Sequence, residues 1–125
     1  MEALLFEGDI VREFPEEVLT QTAAVPQEVL PEALEGRLDL REETIITIDG
    51  ASSKDLDDAV SLTRDESGVF TLGVHIADVS HYVPLNTPLA QEAFQRGTSV
   101  YFAAQVIPML PPDLSNGICS LNPRV

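Results

Sequence analysis

The sequence predicts an α+β fold, a mainly antiparallel sheet flanked by short helices. Three observations carry it. Thr44 to Ile48 is a β-branched run, and such residues favour extended backbone. Val69 to Ile76 alternates, with Phe70, Leu72, Val74 and Ile76 on one side, which is the period of a strand with two different faces. Thr87-Pro88 opens a nine-residue stretch ending before Gly97, with an N-cap, a proline at the first helical position and a glycine stop.

The remaining elements fall around these. Between Phe14 and Gly36, Phe14-Pro15-Glu16-Glu17 and Val25-Pro26-Gln27-Glu28 each offer a proline followed by acids, so two short helices are expected. Pro31 weakens the second unless it lies at a boundary, and Gly36 is a stop. Residues 1–43 therefore read as a helical connector or a cover for the sheet, and residues 44–125 as the body that carries the chemistry. After Thr44 to Ile48, Asp49-Gly50 ends the strand. Ala59 to Thr63 is a second strand, Arg64 to Gly68 a turn, and Val69 to Ile76 completes a hairpin. The apolar stripe of the Thr87 helix is read as Leu89, Ala93 and Phe94. Thr98 to Phe102 reads as a further short strand, Pro108 to Pro112 as loop, and Leu121 to Val125 shows no terminal element.

Composition narrows the function. The 125 residues hold 21 Asp and Glu against 7 Lys and Arg, a formal net charge of −14. That balance argues against a basic nucleic-acid-binding surface within these residues, because such surfaces carry a Lys/Arg excess that displaces counterions from phosphate. The one cysteine, Cys119, excludes an internal disulfide and suits a reducing, cytoplasmic setting. Met1 to Asp9 has neither a basic leader nor a long apolar run, and no stretch approaches the ~18 apolar residues of a membrane span. A soluble chain with no membrane partner is expected.

Between the first two strands lies the most charged loop, with Asp49, Asp55, Asp57 and Asp58. Carboxylates gathered there repel by roughly 4 kcal/mol per pair at ~4 Å in an effective dielectric near 20, and Lys54 alone does not offset that. The spacing is not that of an EF-hand. Two readings stand: a solvated acidic turn, or oxygen ligands for Mg²⁺ or Mn²⁺ serving phosphoryl chemistry. In extended backbone Asp55 and Asp57 share a side and Asp58 points away, so all four converge only if the loop bends, which Gly50 and Ala51-Ser52-Ser53 permit. His75 and His81 are read as structural, as ligands or as bases, Asp78 as a cap or turn residue, and Tyr101 as a packing side chain or a stacking platform for a base.

Resemblance shifts the balance. Thr47-Ile48-Asp49-Gly50 with Lys54-Asp55-Leu56-Asp57-Asp58-Ala59, then Leu72-Gly73-Val74-His75-Ile76-Ala77-Asp78-Val79-Ser80-His81-Tyr82-Val83, resemble the front of the catalytic (RNB) domain of the ribonuclease II/ribonuclease R family. So do Arg96-Gly97-Thr98-Ser99-Val100-Tyr101, Val106 to Pro111 and Leu114 to Leu121. The bacterial ribonuclease R branch is the closer match, over about Phe14 to Val125. The resemblance implies a Mg²⁺-dependent hydrolase, with Mn²⁺ as the alternative ion, that shortens single-stranded RNA from the 3′ end and releases nucleoside 5′-monophosphates. By motif, Asp49, Asp55 and Asp58 would hold metal, Asp57 would be essential as ligand or by orienting water, and Tyr101 would stack on the 3′-terminal nucleotide. His75, Asp78 and His81 fall in a family motif and receive no chemical role.

Family members are several-fold longer, with RNA-binding oligonucleotide-fold modules and later segments that supply basic contacts to the scissile phosphate. The expectation is therefore a partial catalytic domain, an N-terminal fragment whose isolated activity is in doubt. Apolar surface left bare would favour self-association. The rival expectation is a noncatalytic metal-binding or protein-interaction module.

Overall fold

The computed structural model describes residues 11–103 and 105–123. The expectations for Met1 to Asp9 and for the last two residues, Arg124 and Val125, lie outside them. The observed fold is α+β with antiparallel sheets, as expected.

Helix α1 spans Glu16–Ala23, with Pro15 at its N-cap position and Glu16 and Glu17 in its first turn, where acids meet the positive end of the helix dipole. Thr22 bonds back to the Val18 carbonyl at 2.8 Å, and both side chains are buried. The second expected helix does not start at Pro26. A helix begun there would carry Pro31 in its interior, where the missing N–H and the ring break it. The chain instead holds Leu30 extended and uses Pro31 to open a single 3₁₀ turn, Pro31–Leu34, followed by Gly36 at φ +73°.

Strand β1 is shorter than expected, Ile45–Ile46 rather than Thr44 to Ile48. Its register pairs Ile46 with Val60, which would set Ile48 opposite Asp58, the first residue of β2, and Ile48 is left exposed. Strands β2 (Asp58–Arg64) and β3 (Phe70–Ile76) form the expected hairpin, in register from Asp58↔Ile76 to Arg64↔Phe70. Its turn is built by Asp65, whose Oδ1 accepts from the Val69 N–H at 2.9 Å and the Ser67 hydroxyl at 2.7 Å, with Gly68 at φ +89°. The sheet order is β1-β2-β3.

Beyond β3, Val79–Tyr82 makes one helical turn, α2, and Pro88–Arg96 makes α3. Thr87 caps α3 through the Ala90 N–H at 3.3 Å, and Gly97 at φ +70° ends it. The stripe needs one correction. Leu89 is fully buried and Ala93 packs on the core, but Phe94 is 89% exposed. Residues 89, 93 and 96 recur at helical spacing, whereas 94 is rotated a further ~100° from 93. Arg96 takes the third place on that face: its guanidinium lies 3.8 Å from the Phe14 ring centroid, bonds Glu92 at 2.8 Å and reaches the Glu13 carbonyl at 2.8 Å.

A second hairpin joins β4 (Val100–Phe102) to β5 (Gln105–Ile107), and an irregular helical turn, kinked at Gly117, follows at Leu114–Ile118. Neither β5 nor this turn was expected. The core gathers Val18, Leu89, Leu110, Leu114 and Cys119, flanked by Phe14, Val25, Val79, Tyr82 and Ala93. Helix α1 thus packs on α3, not over the sheet as a cover.

Candidate functional site

The acidic loop runs from the end of β1 to the start of β2, and its geometry comes from both ends. A turn closes at Gly50, where the Ser53 N–H bonds the Gly50 carbonyl at 2.9 Å. At the other end the Ala77 N–H bonds the Asp57 carbonyl at 3.1 Å and Asp58 enters the sheet opposite Ile76, so Asp57 and Asp58 stand on the rim of the hairpin.

Between these ends the backbone is irregular and is held from a distance. The Leu56 N–H donates to the Ser120 hydroxyl at 2.9 Å, that hydroxyl donates to the Lys54 carbonyl at 3.0 Å, and the Leu121 N–H donates to the Leu56 carbonyl at 2.8 Å. Asp55 is therefore bracketed on both sides. Its own carboxylate accepts a 2.6 Å hydrogen bond from the Tyr101 hydroxyl, which ties β4 to the loop and raises the Tyr101 pKa. The ring of Tyr101 is otherwise largely exposed.

The charge of the loop is felt at Asp57. Asp57 is pushed above the usual carboxylate range, first by partial desolvation and then by the negative charges of Asp55, Asp58 and Asp49. The bent loop thus brings into one electrostatic field the residues that an extended chain would separate. Among the described residues, however, no three His, Cys, Asp or Glu side chains are disposed to hold a metal ion together. The donor set is all oxygen and all anionic, which suits a hard cation such as Mg²⁺ or Mn²⁺, and a cation there would relieve the repulsion centred on Asp57.

Beside the loop lies a cleft of about 550 Å³, bordered by Lys54, Asp55, Tyr101, Gln105, Val106 and Asn116. That volume is in the range of small-ligand sites, and Tyr101 gives it an aromatic wall. The other residues singled out in the sequence bond elsewhere. The His75 Nε2 meets the Ser61 hydroxyl at 2.9 Å across the hairpin. Asp78 pairs with Arg37 at 2.7 Å and accepts from Ser80 at 3.1 Å, which holds its carboxyl below the usual range. His81 stands edge-on to Tyr82 in α2.

Ser120 is the residue that residue-by-residue reading missed. Its partners are more than sixty positions away, so no local spacing signals them; the one hint is a serine set among Ile118, Cys119 and Leu121.

Comparison with known proteins identifies the fold and the family. The chain is 63% identical over 117 residues to Ribonuclease R 1 of Lactococcus lactis, covering 94% of this chain and 14% of that protein. It is 59% identical over 109 residues to Ribonuclease R of Thermotoga maritima, covering 87% of this chain and 15% of that one. The fold matches Mycoplasma genitalium RNase R in complex with double-stranded RNA at a TM-score of 0.89 and 36% identity, covering 99% of this chain and 22% of that chain. The same protein in complex with ribose methylated single-stranded RNA matches at a TM-score of 0.88. The chain thus spans about a seventh to a fifth of the length of these relatives. The RNB domain model matches residues 37–125, most of the chain and the whole of the acidic loop, and the chain belongs to the RNB domain family.

Proposed function

We propose that a protein carrying this chain is a metal-dependent, hydrolytic 3′-to-5′ exoribonuclease of the cytoplasm that acts on single-stranded RNA, and that these residues supply the acidic side of its active site. The observation that carries the reading is the electrostatic coupling of Asp57 to Asp49, Asp55 and Asp58 beside a cleft walled by Tyr101. The relatives named Ribonuclease R, and neighbours solved with RNA, support it.

In this reading Asp49, Asp55 and Asp58 would be drawn together on Mg²⁺ or Mn²⁺, and Asp57 would either join them or orient the attacking water. The bound cation would supply charge stabilisation at the phosphate and a more acidic water. Water adds at the phosphorus of the last phosphodiester, the 3′ oxygen of the penultimate nucleotide leaves, and a nucleoside 5′-monophosphate is released. Tyr101 presents its ring to the terminal base, worth ~1–3 kcal/mol if stacked, while its hydroxyl stays on Asp55. With a net charge of −14, these residues do not attract the RNA backbone themselves, and the cationic contacts are assigned outside them.

The second reading is a noncatalytic metal-binding or protein-interaction module, and the observation on its side is that no three of the described carboxylates are preassembled as a catalytic metal centre. A Mn²⁺ titration with 3′-labelled single-stranded RNA separates the two, run on this chain and on a version extended at both ends. The extended protein should release mononucleotides only when Mn²⁺ or Mg²⁺ is present. Cation binding with no turnover in either version would select the module. The bare apolar face of the β1–β3 sheet also makes self-association of the isolated chain part of this proposal.

A further inference from the structure

We propose that Ser120 is a positioning residue for the acidic loop, fixing through the backbone where Asp55 and Asp57 present their carboxylates. The proposal rests on the metal-site reading above. Its basis is how the loop is held. From the Gly50 turn to the rim of the hairpin the chain has no helical or sheet pairing of its own, and residues 120 and 121 provide three hydrogen bonds to it. The Ser120 hydroxyl provides two of them, one as acceptor from the Leu56 N–H and one as donor to the Lys54 carbonyl. A single oxygen therefore clamps the peptide groups on either side of Asp55.

The clamp is anchored. Ser120 is only 7% exposed, and it follows Cys119, which is 2% exposed within the core and bonds the Leu114 carbonyl through its N–H at 3.0 Å. The Ser120 N–H is itself tied to the Gly117 carbonyl at 2.9 Å, and the side chain of Asn122 donates to the carbonyls of Asn116 and Gly117. The hydroxyl is thus an extension of the best-packed part of the molecule into its most charged loop. Only a side chain that both donates and accepts, and is short enough to stay buried, can fill the place. Alanine would leave the Leu56 N–H and the Lys54 carbonyl without partners. Outer-shell groups that orient metal ligands typically contribute roughly 10–100-fold in metal affinity.

The test compares Ser120→Thr with Ser120→Val in the full-length protein. These variants share a shape and differ in the hydroxyl, so any overpacking is common to both. Mn²⁺ affinity is read by electron paramagnetic resonance, and exchange of the Leu56 amide is read in EDTA, without metal. Ser120→Thr should bind Mn²⁺ roughly tenfold or more tightly than Ser120→Val, and the Leu56 amide should exchange faster in the valine variant while amides of α3 keep their protection. Equal Mn²⁺ affinities with different unfolding midpoints would overturn the proposal and leave Ser120 as a structural link. The parent reading fails separately, on the RNA assay. If that assay shows no turnover, the Leu56 exchange still decides whether the hydroxyl clamps the loop: equal exchange in the two variants rejects the clamp.

Discussion

The helical half of the molecule and the three-stranded sheet are built on opposite principles. Around α1, α3 and the kinked turn at Leu114–Ile118, Val18, Leu89 and Leu114 are fully enclosed, and Arg96 satisfies its guanidinium on Phe14, Glu92 and the Glu13 carbonyl. On the sheet, Ile46, Leu62, Phe70, Leu72, Val74 and Ile76 share one face by register, and each is more than half exposed. The same kind of side chain stabilises the first region and lies open to solvent in the second. Stability should therefore reside in the helical half, and the sheet's apolar face should act mainly in association. The acidic loop crosses between them: Asp57 and Asp58 belong to the sheet rim, while Asp55 is clamped from the packed side.

The strongest way to break this contrast is to truncate one residue on each side. Leu89→Ala should cost about 2–5 kcal/mol in urea unfolding, because the helix keeps its propensity while the enclosed space loses a side chain. Leu72→Thr should change stability by roughly 0.5 kcal/mol or less and reduce self-association in sedimentation velocity. A large loss from Leu72→Thr would show that its face is covered after all.

A smaller effect sharpens the picture at Cys119. Burial pushes this thiol from 9.0 up to about 11. A pKa raised on folding contributes stability that is intact below the unfolded value and is lost as pH climbs through the folded one. Stability should thus fall between about pH 9 and 11, by at most roughly 3 kcal/mol from this group. The slope in that window should be shallower in Cys119→Ala than in the wild type, measured by urea midpoints. Equal slopes would place the thiol in a wetter site than its packing indicates.

How much of this was legible in the sequence follows the reach of each interaction. The β2–β3 hairpin could be read because its alternation and its Asp65–Gly68 turn are local, and α3 because Thr87, Pro88 and Gly97 act within a few residues. Phe94 departs from the expected stripe because the expectation weighs its hydrophobicity over its position: at helical spacing 96 follows 89 and 93, and the residue at 96 is an arginine whose long apolar stem fills the inward place. The Pro26 helix failed because two prolines five positions apart compete for one start. Within the site, the carboxylates announced themselves by charge, whereas Ser120 could not, since its two partners are set by tertiary packing. That Tyr101 would hold Asp55 through its hydroxyl was likewise invisible, although its aromatic character marked it.

The proposed role of the Asp49 to Asp58 loop in RNA hydrolysis stands or falls with Asp57→Asn in the full-length protein. The substitution keeps the shape of the side chain and leaves the Asp57 carbonyl on Ala77, so the fold should be unchanged by circular dichroism. With saturating Mg²⁺ and a 3′-labelled single-stranded RNA, the rate of mononucleotide release should fall roughly a hundredfold or more. Release at the wild-type rate by a folded Asp57→Asn protein would remove Asp57 from the chemistry and leave the loop a solvated acidic turn.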